Sequence, residues 1–440
     1  GNSGDAFGTG IFLQGNQSIT FGAAAGQTTV VADIITDQDG NPSAENFTSG
    51  SGSVVIDAAF GGTVEFTGAN TYTGGTVVEA GTFALAGSAG AGIVSVQSGA
   101  TLELLGGATT PSYTIDPGGT LEIASGYVLN AYVVASGITF SVAGGDAASG
   151  AVVLSSGEQT VGGGGVVSNT VVHSGGEQAV YAGGSATNTF VYGEQLVLGT
   201  AVRTVVKSGG HEDIYAGAAS GTDVKAGGQQ NVYGYAATNA TVAESGGNQT
   251  VHDDSTASNT IVSSGGRQDV YDFGTAIGTL VSRGGVQDVH DQATASGTVV
   301  DSGGTQFVED NGQAIGTVVQ SSGTQEVMAD ANATGTTVSK GGLVRVLPGG
   351  TATNPIIVSG GSLLVGGTLV IEDQSITVSS GGIVLSAGAQ IDLESGQVSG
   401  ALKVTSGVTV NVLTGANTLV RPAAIPSSIP ASSRWRAARR

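Results

Sequence analysis

Residues 245–308 read SGGNQTVHDDSTASNTIVSSGGRQDVYDFGTAIGTLVSRGGVQDVHDQATASGTVVDSGGTQFV. Within this stretch a glutamine recurs at a constant interval, at Gln249, Gln268, Gln287 and Gln306. Each unit has a Gly-Gly turn, a short strand, a polar loop with a small residue, and a second short strand. A fixed period of about 20 residues indicates a solenoid, in which each unit buries its apolar face by stacking on its neighbours.

The same period extends through most of the chain. Apolar triplets recur at this interval at Val64–Phe66, Phe83–Leu85, Leu102–Leu104, Leu121–Ile123 and Phe140–Val142. Two repeats are shortened, because Gln195 and Glu212 each arrive earlier than the constant interval requires. Parallel strand crossovers are right-handed in nearly all cases. We therefore predict an all-β, right-handed parallel β-helix with coils of about 19 residues.

The regularity of the pattern divides the chain into five segments. Residues 1–60 are expected to form an N-terminal cap and the first coils. The β-helix then runs through residues 61–149, and through a highly regular part at residues 150–360. Residues 361–420 predict irregular C-terminal coils, and the basic tail at residues 421–440 breaks every pattern and is expected to be disordered.

Composition excludes several classes of function. The net charge of −21 disfavours nucleic acid and anionic membranes as partners. Cysteine is absent, so neither disulfides nor thiol chemistry is available. No apolar run approaches the ~20 residues of a membrane span. The chain begins with Gly1 rather than Met, which is consistent with removal of a secretion signal.

The recurring glutamines predict a column of stacked amides. Residues i and i+2 of a strand share a face, and in the later repeats Gln takes the inner position that Phe or Leu holds in the early ones. Stacked amides can bond to one another along the column, so we expect an inward-facing or corner ladder with a structural role, with ligand binding as the alternative. The members are Gln159, Gln178, Gln195, Gln230, Gln249, Gln268, Gln287, Gln306 and Gln325, with an interruption at Glu212.

A second column is aromatic and consists of Tyr215, Tyr233, His252, Tyr271 and His290. His252 and His290 lie two coils apart, about 9.6 Å, which is too far for two ligands of one zinc ion. We expect an outward stacking stripe and no metal site. Binding of a sugar or a protein partner on this stripe is the functional alternative.

Polar residues beside these columns have simpler interpretations. Acidic residues at Asp253, Asp254, Asp269, Asp272, Asp288, Asp291, Glu309 and Asp310 predict a solvated face. Loosely bound calcium, or catalysis by paired carboxylates, is the alternative there. A lyase would also need a basic residue, and only Arg267 and Arg283 are near. Asp37, Asp39 and Asn41 faintly resemble a calcium loop but lack its Gly and Glu spacing, so a turn is favoured.

Recurring Ser and Thr residues, including Thr260, Thr279, Thr298 and Thr317, predict turn chemistry and β propensity.

The units SGGxQxV…A[ST]NTxV resemble the repeats of AIDA-type self-associating autotransporter adhesins over about residues 150–360. VVHSGGEQAVYAGGSATNTFV at 171–191 is a close match. FTGANTYTGGTVVEAGTFAL at 66–85 resembles the passenger-associated strand repeat of autotransporters. The family's translocator barrel does not follow the repeats, so we expect the sequence to represent the passenger alone or a truncated product.

This resemblance implies a non-enzymatic surface or secreted protein of a Gram-negative outer membrane, without a cofactor. It implies self-association between cells, biofilm formation, and adhesion to host surfaces or glycans. Some family members carry heptose added by a dedicated glycosyltransferase. By position, the candidate acceptors here are Ser174, Ser208, Ser245, Ser264 and Ser302. A polysaccharide-active β-helix enzyme and a purely structural spacer remain the alternative functions.

Overall fold

The computed structural model describes residues 10–41, 49–109, 112–124, 126–358, 360–371, 376–385, 390–393, 398–404 and 409–412. The chain forms two compact units, Gly1–Val202 and Arg203–Arg440. Each is a parallel β-solenoid with coils of about 19 residues, as predicted. No helix long and apolar enough to cross a bilayer occurs in the described part of the chain. The predicted basic tail at residues 421–440 lies outside the described residues.

A regular coil contains three strands rather than the two predicted from sequence. In one coil these strands are Asn248–Val251, Thr256–Ser258 and Ile261–Val262. The small residue of the expected polar loop, here Ala257, is instead the buried centre of the second strand. The sequence pattern misses this strand because its outward neighbours are Thr and Ser, which also suit a loop.

In the first unit, strands of the first face are Thr28–Val31, Thr63–Phe66, Thr82–Leu85, Thr101–Leu104, Thr120–Ile123, Thr139–Val142, Glu158–Val161, Glu177–Val180 and Glu194–Val197. Those of the second face are Val128–Asn130, Ala147–Ser149, Val166–Ser168, Ser185–Thr187 and Thr200–Val202. Those of the third are Val133–Val134, Val152–Val153, Val171–Val172 and Phe190–Val191. The N-terminal coils add Gly10–Leu13, Ser18–Phe21, Ile34–Asp37, Ser53–Asp57, Ala69–Asn70, Thr76–Ala80, Ser88–Ala89, Val94–Val96 and Tyr113–Ile115.

In the second unit, the first face contains His211–Tyr215, Gln229–Tyr233, Asn248–Val251, Arg267–Val270, Val286–Val289, Thr305–Val308, Thr324–Val327, Leu343–Val346, Ser362–Val365, Ile376–Leu385 and Val398–Val404. The second contains Ala218–Ser220, Ala237–Asn239, Thr256–Ser258, Thr275–Ile277, Thr294–Ser296, Gln313–Ile315, Asn332–Thr334, Thr351–Thr353, Thr368–Ile371, Gln390–Leu393 and Thr409–Val412. The third contains Val205–Val206, Asp223–Val224, Val242–Ala243, Ile261–Val262, Leu280–Val281, Val299–Val300, Val318–Val319, Thr337–Val338 and Ile356–Ile357.

Equivalent residues of successive coils pair directly. Phe83, Leu102, Leu121 and Phe140 are Cα partners in that order along the parallel ladder. All four side chains are fully buried in the core of the first unit. The apolar triplets are therefore the inward-facing columns that the repeat period predicts.

Parallel strand pairing already occurs within residues 10–60, before the regular repeat begins. Thr28–Val31 pairs in register with Thr63–Phe66, and Ser18–Phe21 pairs with Ser53–Asp57. The apolar stretch that follows Gln27 looks like a single strand in the sequence. In the structure it forms two strands, and the second begins at Ile34. A long insertion separates these coils, so a single fixed interval does not relate their equivalent residues.

The shortened repeat before Gln195 loses residues only at a corner. Gln178 and Gln195 remain direct partners in the ladder. Two residues separate Phe190–Val191 from Glu194, where a regular coil has a full Ser-Gly-Gly turn. A Cβ at Gly193 would lie 2.3 Å from the carbonyl oxygen of Gly176, so only glycine fits this tight corner. Strand register thus survives changes in turn length.

The two glycines of each Ser-Gly-Gly turn have different tasks. Gly265 has a φ of 77°, whereas a Cβ at Gly266 would lie 2.2 Å from the carbonyl oxygen of Ala243 in the preceding coil. In a later coil Ser322 takes the position equivalent to Gly265, with a φ of 63°, so that position accepts a side chain. The second glycine is required because neighbouring backbones approach too closely for any Cβ.

Candidate interaction surface

The predicted glutamines form buried columns in both units. Every one of the nine has no exposed surface. In the first unit, Gln178 Nε2 donates to Gln159 Oε1 at 2.7 Å, and Gln195 Nε2 donates to Gln178 Oε1 at 2.6 Å. In the second unit, each step from Gln249 on Gln230 to Gln325 on Gln306 measures 2.8 Å. Each amide thereby finds its partner in the neighbouring coil.

A column of threonines completes the hydrogen bonding of the amides. Thr279 Oγ1 donates to Gln268 Oε1 at 2.9 Å, and Thr298 Oγ1 donates to Gln287 Oε1 at 3.0 Å, in each case within one coil. The equivalent donors elsewhere are Thr170, Thr189, Thr241, Thr260, Thr317 and Thr336. These side chains are buried, and they lie just before the third strand rather than in a second strand. In the sequence, the constant offset of 11 residues between each Gln and its Thr is the signal that points to this hydrogen bond.

Glu212 places a carboxyl group in the amide column of the second unit. Its side chain has no exposed surface, and Gln230 Nε2 donates to its Oε2 at 2.7 Å. Burial raises the pKa of Glu212, and the hydrogen bond from Gln230 offsets this only in part. A neutral carboxyl group has the shape of the amide it replaces, so the protonated form suits the column.

The aromatic side chains stack on the outside of the second unit. Ring centroids are 5.5 Å apart between Tyr233 and His252, 4.9 Å between His252 and Tyr271, and 5.4 Å between Tyr271 and His290. Tyr215 lies 5.4 Å from Tyr233 at a tilt of 51° and is the most exposed of the five. We call these five residues the aromatic column.

Carboxylates surround the far end of the aromatic column. His290 Nε2 lies 3.0 Å from Asp269 Oδ1, and His290 Nδ1 lies 3.0 Å from Asp291 Oδ2. Partial burial by itself would lower the pKa of His290. The hydrogen bonds to both carboxylates and the charges of Asp269 and Asp288 outweigh it and raise the pKa. The imidazolium form is thus stabilised at this end of the column.

The acidic face is only partly solvated, although the sequence predicts a solvated face throughout. Asp288 is only 8% exposed, and its Oδ2 lies 2.7 Å from Arg267 Nη2. Its ladder neighbours are Asp269 and Phe307 of the adjoining coils, and Arg267 reaches it from the preceding coil. Arg267 therefore neutralises a structural carboxylate and is not free to serve as a catalytic base. The exposed members of the face are Asp253, Asp254, Asp272, Asp291 and Asp310.

The candidate acceptor serines occupy one corner of their coils. Ser174, Ser208, Ser245, Ser264 and Ser302 are all exposed and precede the Gly-Gly of the turn. A modifying enzyme could therefore reach each hydroxyl without opening a strand.

The loop after the strand Ile34–Asp37 is organised by Asp37. Asp37 Oδ1 accepts from the N–H of Gly40 at 2.6 Å, and Oδ2 accepts from the N–H groups of Gly52 and Thr73 at 2.8 and 2.7 Å. Both oxygens thus bind backbone donors, as in a turn. Within the residues described, no group of three or more His, Asp or Glu side chains is arranged to hold a metal ion.

Comparison with known proteins identifies the family. Residues 231–285, 274–323 and 288–342 match the family described as an adhesin of the bacterial autotransporter system, probable stalk. Residues 61–85 match the passenger-associated transport repeat. The crystal structure of a TibA fragment hyper-glycosylated by TibC resembles the chain with a TM-score of 0.53 at 30% identity. The similarity covers 66% of this chain and 98% of that fragment.

The chain belongs to the autotransporter adhesin passengers. This family implies a secreted cell-surface protein of Gram-negative bacteria with a structural role. A search among curated proteins gave no match. The matched residues include four members of the aromatic column, from Tyr233 to His290, and most of the buried glutamines of the second unit.

Replacing one buried glutamine by an apolar side chain of similar size tests how much the glutamine column contributes to stability. Gln287→Met leaves Gln306 Nε2 and Thr298 Oγ1 without their acceptor. Each unsatisfied buried group costs about 1–3 kcal/mol, so local stability should fall by about 2 kcal/mol or more. Native-state hydrogen exchange of the flanking coils measures this loss. Gln320→Met, at an exposed position, is the control, and equal exchange in both variants would refute the prediction.

The pH dependence of adhesin stability should change in Glu212→Gln. Because burial raises the folded-state pKa of Glu212, its favourable state is fully present below the unfolded pKa of about 4.3 and is lost as pH rises through the folded pKa. The variant should therefore unfold at a higher temperature than the parent at pH 7 and at the same temperature near pH 4. Thermal unfolding followed by circular dichroism across this range decides it. Exposed Glu79→Gln should show no such pH-dependent difference.

Proposed function

We propose that this passenger mediates cell–cell aggregation, biofilm formation and adhesion through the side of its β-solenoid. The aromatic column carries the proposal. It presents rings at the same position of successive coils, ends at the imidazole of His290 and is flanked by carboxylates. Such a face can meet the same face of another copy through several weak contacts in register, and their combined strength then exceeds that of any one contact.

Electrostatics limits where two copies can meet. The net charge of −21 repels identical chains at long range. At the aromatic column this repulsion is reduced, because Arg267 pairs with Asp288 and His290 lies between Asp269 and Asp291. Salt screens the remaining exposed charges. Repulsion between two copies at the column is thus weaker than its carboxylates alone would cause.

Cells that display the full chain should settle faster than cells that do not, and the aromatic column should be required. Tyr233→Ser, Tyr271→Ser and His290→Ser combined should abolish settling, because the stacked rings are removed while the strands remain. Turbidity of standing suspensions is the measurement. Ile277→Ser with Ile315→Ser, at exposed positions of the second face, should leave settling unchanged. Dispersed cells with the parent chain would contradict the proposal.

A structural stalk is the second candidate, because the matched family is described as a probable stalk. Removing residues 252–308 deletes three coils that contain His252, Tyr271 and His290. Removing residues 309–365 deletes three coils without them. An adhesive face requires settling to be lost only in the first deletion. Equal settling in both deletions would favour the stalk.

We also propose that Ser174, Ser208, Ser245, Ser264 and Ser302 carry O-linked sugars. Their common exposed position and the similarity to a glycosylated TibA fragment support this proposal.

Co-production with a TibC-like glycosyltransferase should raise the intact mass by whole multiples of one sugar residue. The increments should disappear when all five serines are replaced by alanine. Ser258→Ala with Ser296→Ala, in the second strand, is the control and should keep them. An unchanged parent mass, or increments that persist in the five-serine variant, would disprove these acceptor positions.

A further inference from the structure

A groove of about 490 Å³ lies along the turns between the first and second strands of consecutive coils in the second unit. It is lined by Phe273, Gln292, Asn311, Asp330, Gln313 and Asn332. The first four occupy equivalent turn positions, one per coil, and Gln313 and Asn332 are direct partners in the adjoining strands. We call it the turn groove. Neither the aromatic column nor the acceptor serines contribute to it.

The backbone at these turns is unusual for residues with side chains. Phe273, Gln292, Asn311 and Asp330 have φ values of 62°, 66°, 66° and 62°. This left-handed region disfavours residues other than glycine, least so Asn and Asp, at a cost of order 1–3 kcal/mol each. Some equivalent turns in other coils have glycine, as at Gly349 with a φ of 90°, whereas Tyr235 and Asp254 have φ values of 67° and 59° at the same turn position.

The fold itself therefore does not require side chains at these four positions, since glycine serves the same turn in other coils. Six coils in succession nevertheless have a side chain here in the left-handed conformation, at Tyr235, Asp254 and the four groove positions. The last four of these side chains, from Phe273 to Asp330, line one groove together.

The lining has the chemistry of a site for hydroxyl-rich rings. Four of its six side chains are amides, each of which can both donate and accept hydrogen bonds, as a sugar hydroxyl does. Phe273 is 54% exposed and offers an apolar ring face at one end, against which the C–H face of a sugar can pack. No basic residue lines the groove, and Asp330 would repel an anion. Equivalent groups recur at each coil, about 4.8 Å apart, which suits an extended ligand.

We propose that the turn groove binds a neutral oligosaccharide aligned along the stack of coils. Asn311, Gln292 and the strand residues Gln313 and Asn332 bond to its hydroxyls, and Phe273 packs against one sugar ring. The proposal does not depend on aggregation through the aromatic column, because the two sites share no residue and binding can be measured on the isolated chain.

The test uses the full chain with maltohexaose, cellohexaose and xylohexaose as neutral probes and an oligogalacturonate as the acidic probe. Saturation-transfer NMR and calorimetry should detect at least one neutral probe. Phe273→Gly with Asn311→Gly should weaken that binding at least tenfold without lowering the unfolding temperature, because glycine relieves the strained turns.

Asn259→Gly is the matched control. Its φ of 55° gives the same type of backbone conformation at a different corner, outside the groove, so it should bind as the parent does. The proposal is overturned if no neutral probe binds, if only the oligogalacturonate binds, or if the groove variant binds as tightly as the parent.

Discussion

Parallel backbone hydrogen bonding between neighbouring coils limits which residue types each position accepts. Gln249, Gln268 and Gln287 are direct ladder partners, so each must be compatible with a copy of itself one strand spacing away. Amides satisfy this condition, because the donor of one meets the acceptor of the next. Valine and leucine satisfy it by packing, and aromatic rings by stacking.

Carboxylates satisfy the condition poorly, and the structure shows the consequence. Glu158, Glu177 and Glu194 are ladder partners on an outward position of the first unit. Partial burial raises the pKa of Glu177, and the charges of its two neighbours raise it further. In the second unit, Arg267 and His290 relieve the same repulsion around Asp269 and Asp288. The two units differ here because the ladder places only carboxylates beside Glu177 in the first, whereas it also brings basic side chains close to the carboxylates in the second.

Much of this architecture can be predicted from sequence, because a constant repeat interval and alternation within strands fix both stacking and the inward face. The pattern accordingly predicts Gln268 on the inner face or at a corner, and its side chain is fully buried. It misses the second strand, since the only buried residue of that strand is a small alanine such as Ala276. It assigns Thr279 to turn chemistry, because its partner Gln268 is distant in sequence and close only after the coil closes.

Other features cannot be predicted from the sequence, for physical reasons. The ion pair of Asp288 with Arg267 joins neighbouring coils, and no local sequence pattern encodes it. Likewise, the left-handed backbone at Phe273 and Gln292 contradicts the usual preferences of those residue types. A prediction based on the usual backbone preferences of residue types assigns such positions to ordinary loops.

The buried amides all point the same way. In every step of the second unit the Nε2 group of one coil donates toward the coil that precedes it in the chain, as Gln306 does to Gln287. At the start of the column in the first unit, Gln159 Nε2 has no acceptor among the described residues. A broken stack would consequently expose donors on one cut end and acceptors on the other. Fragments of this protein could join head to tail into open-ended fibres, whereas head-to-head joining would oppose like groups.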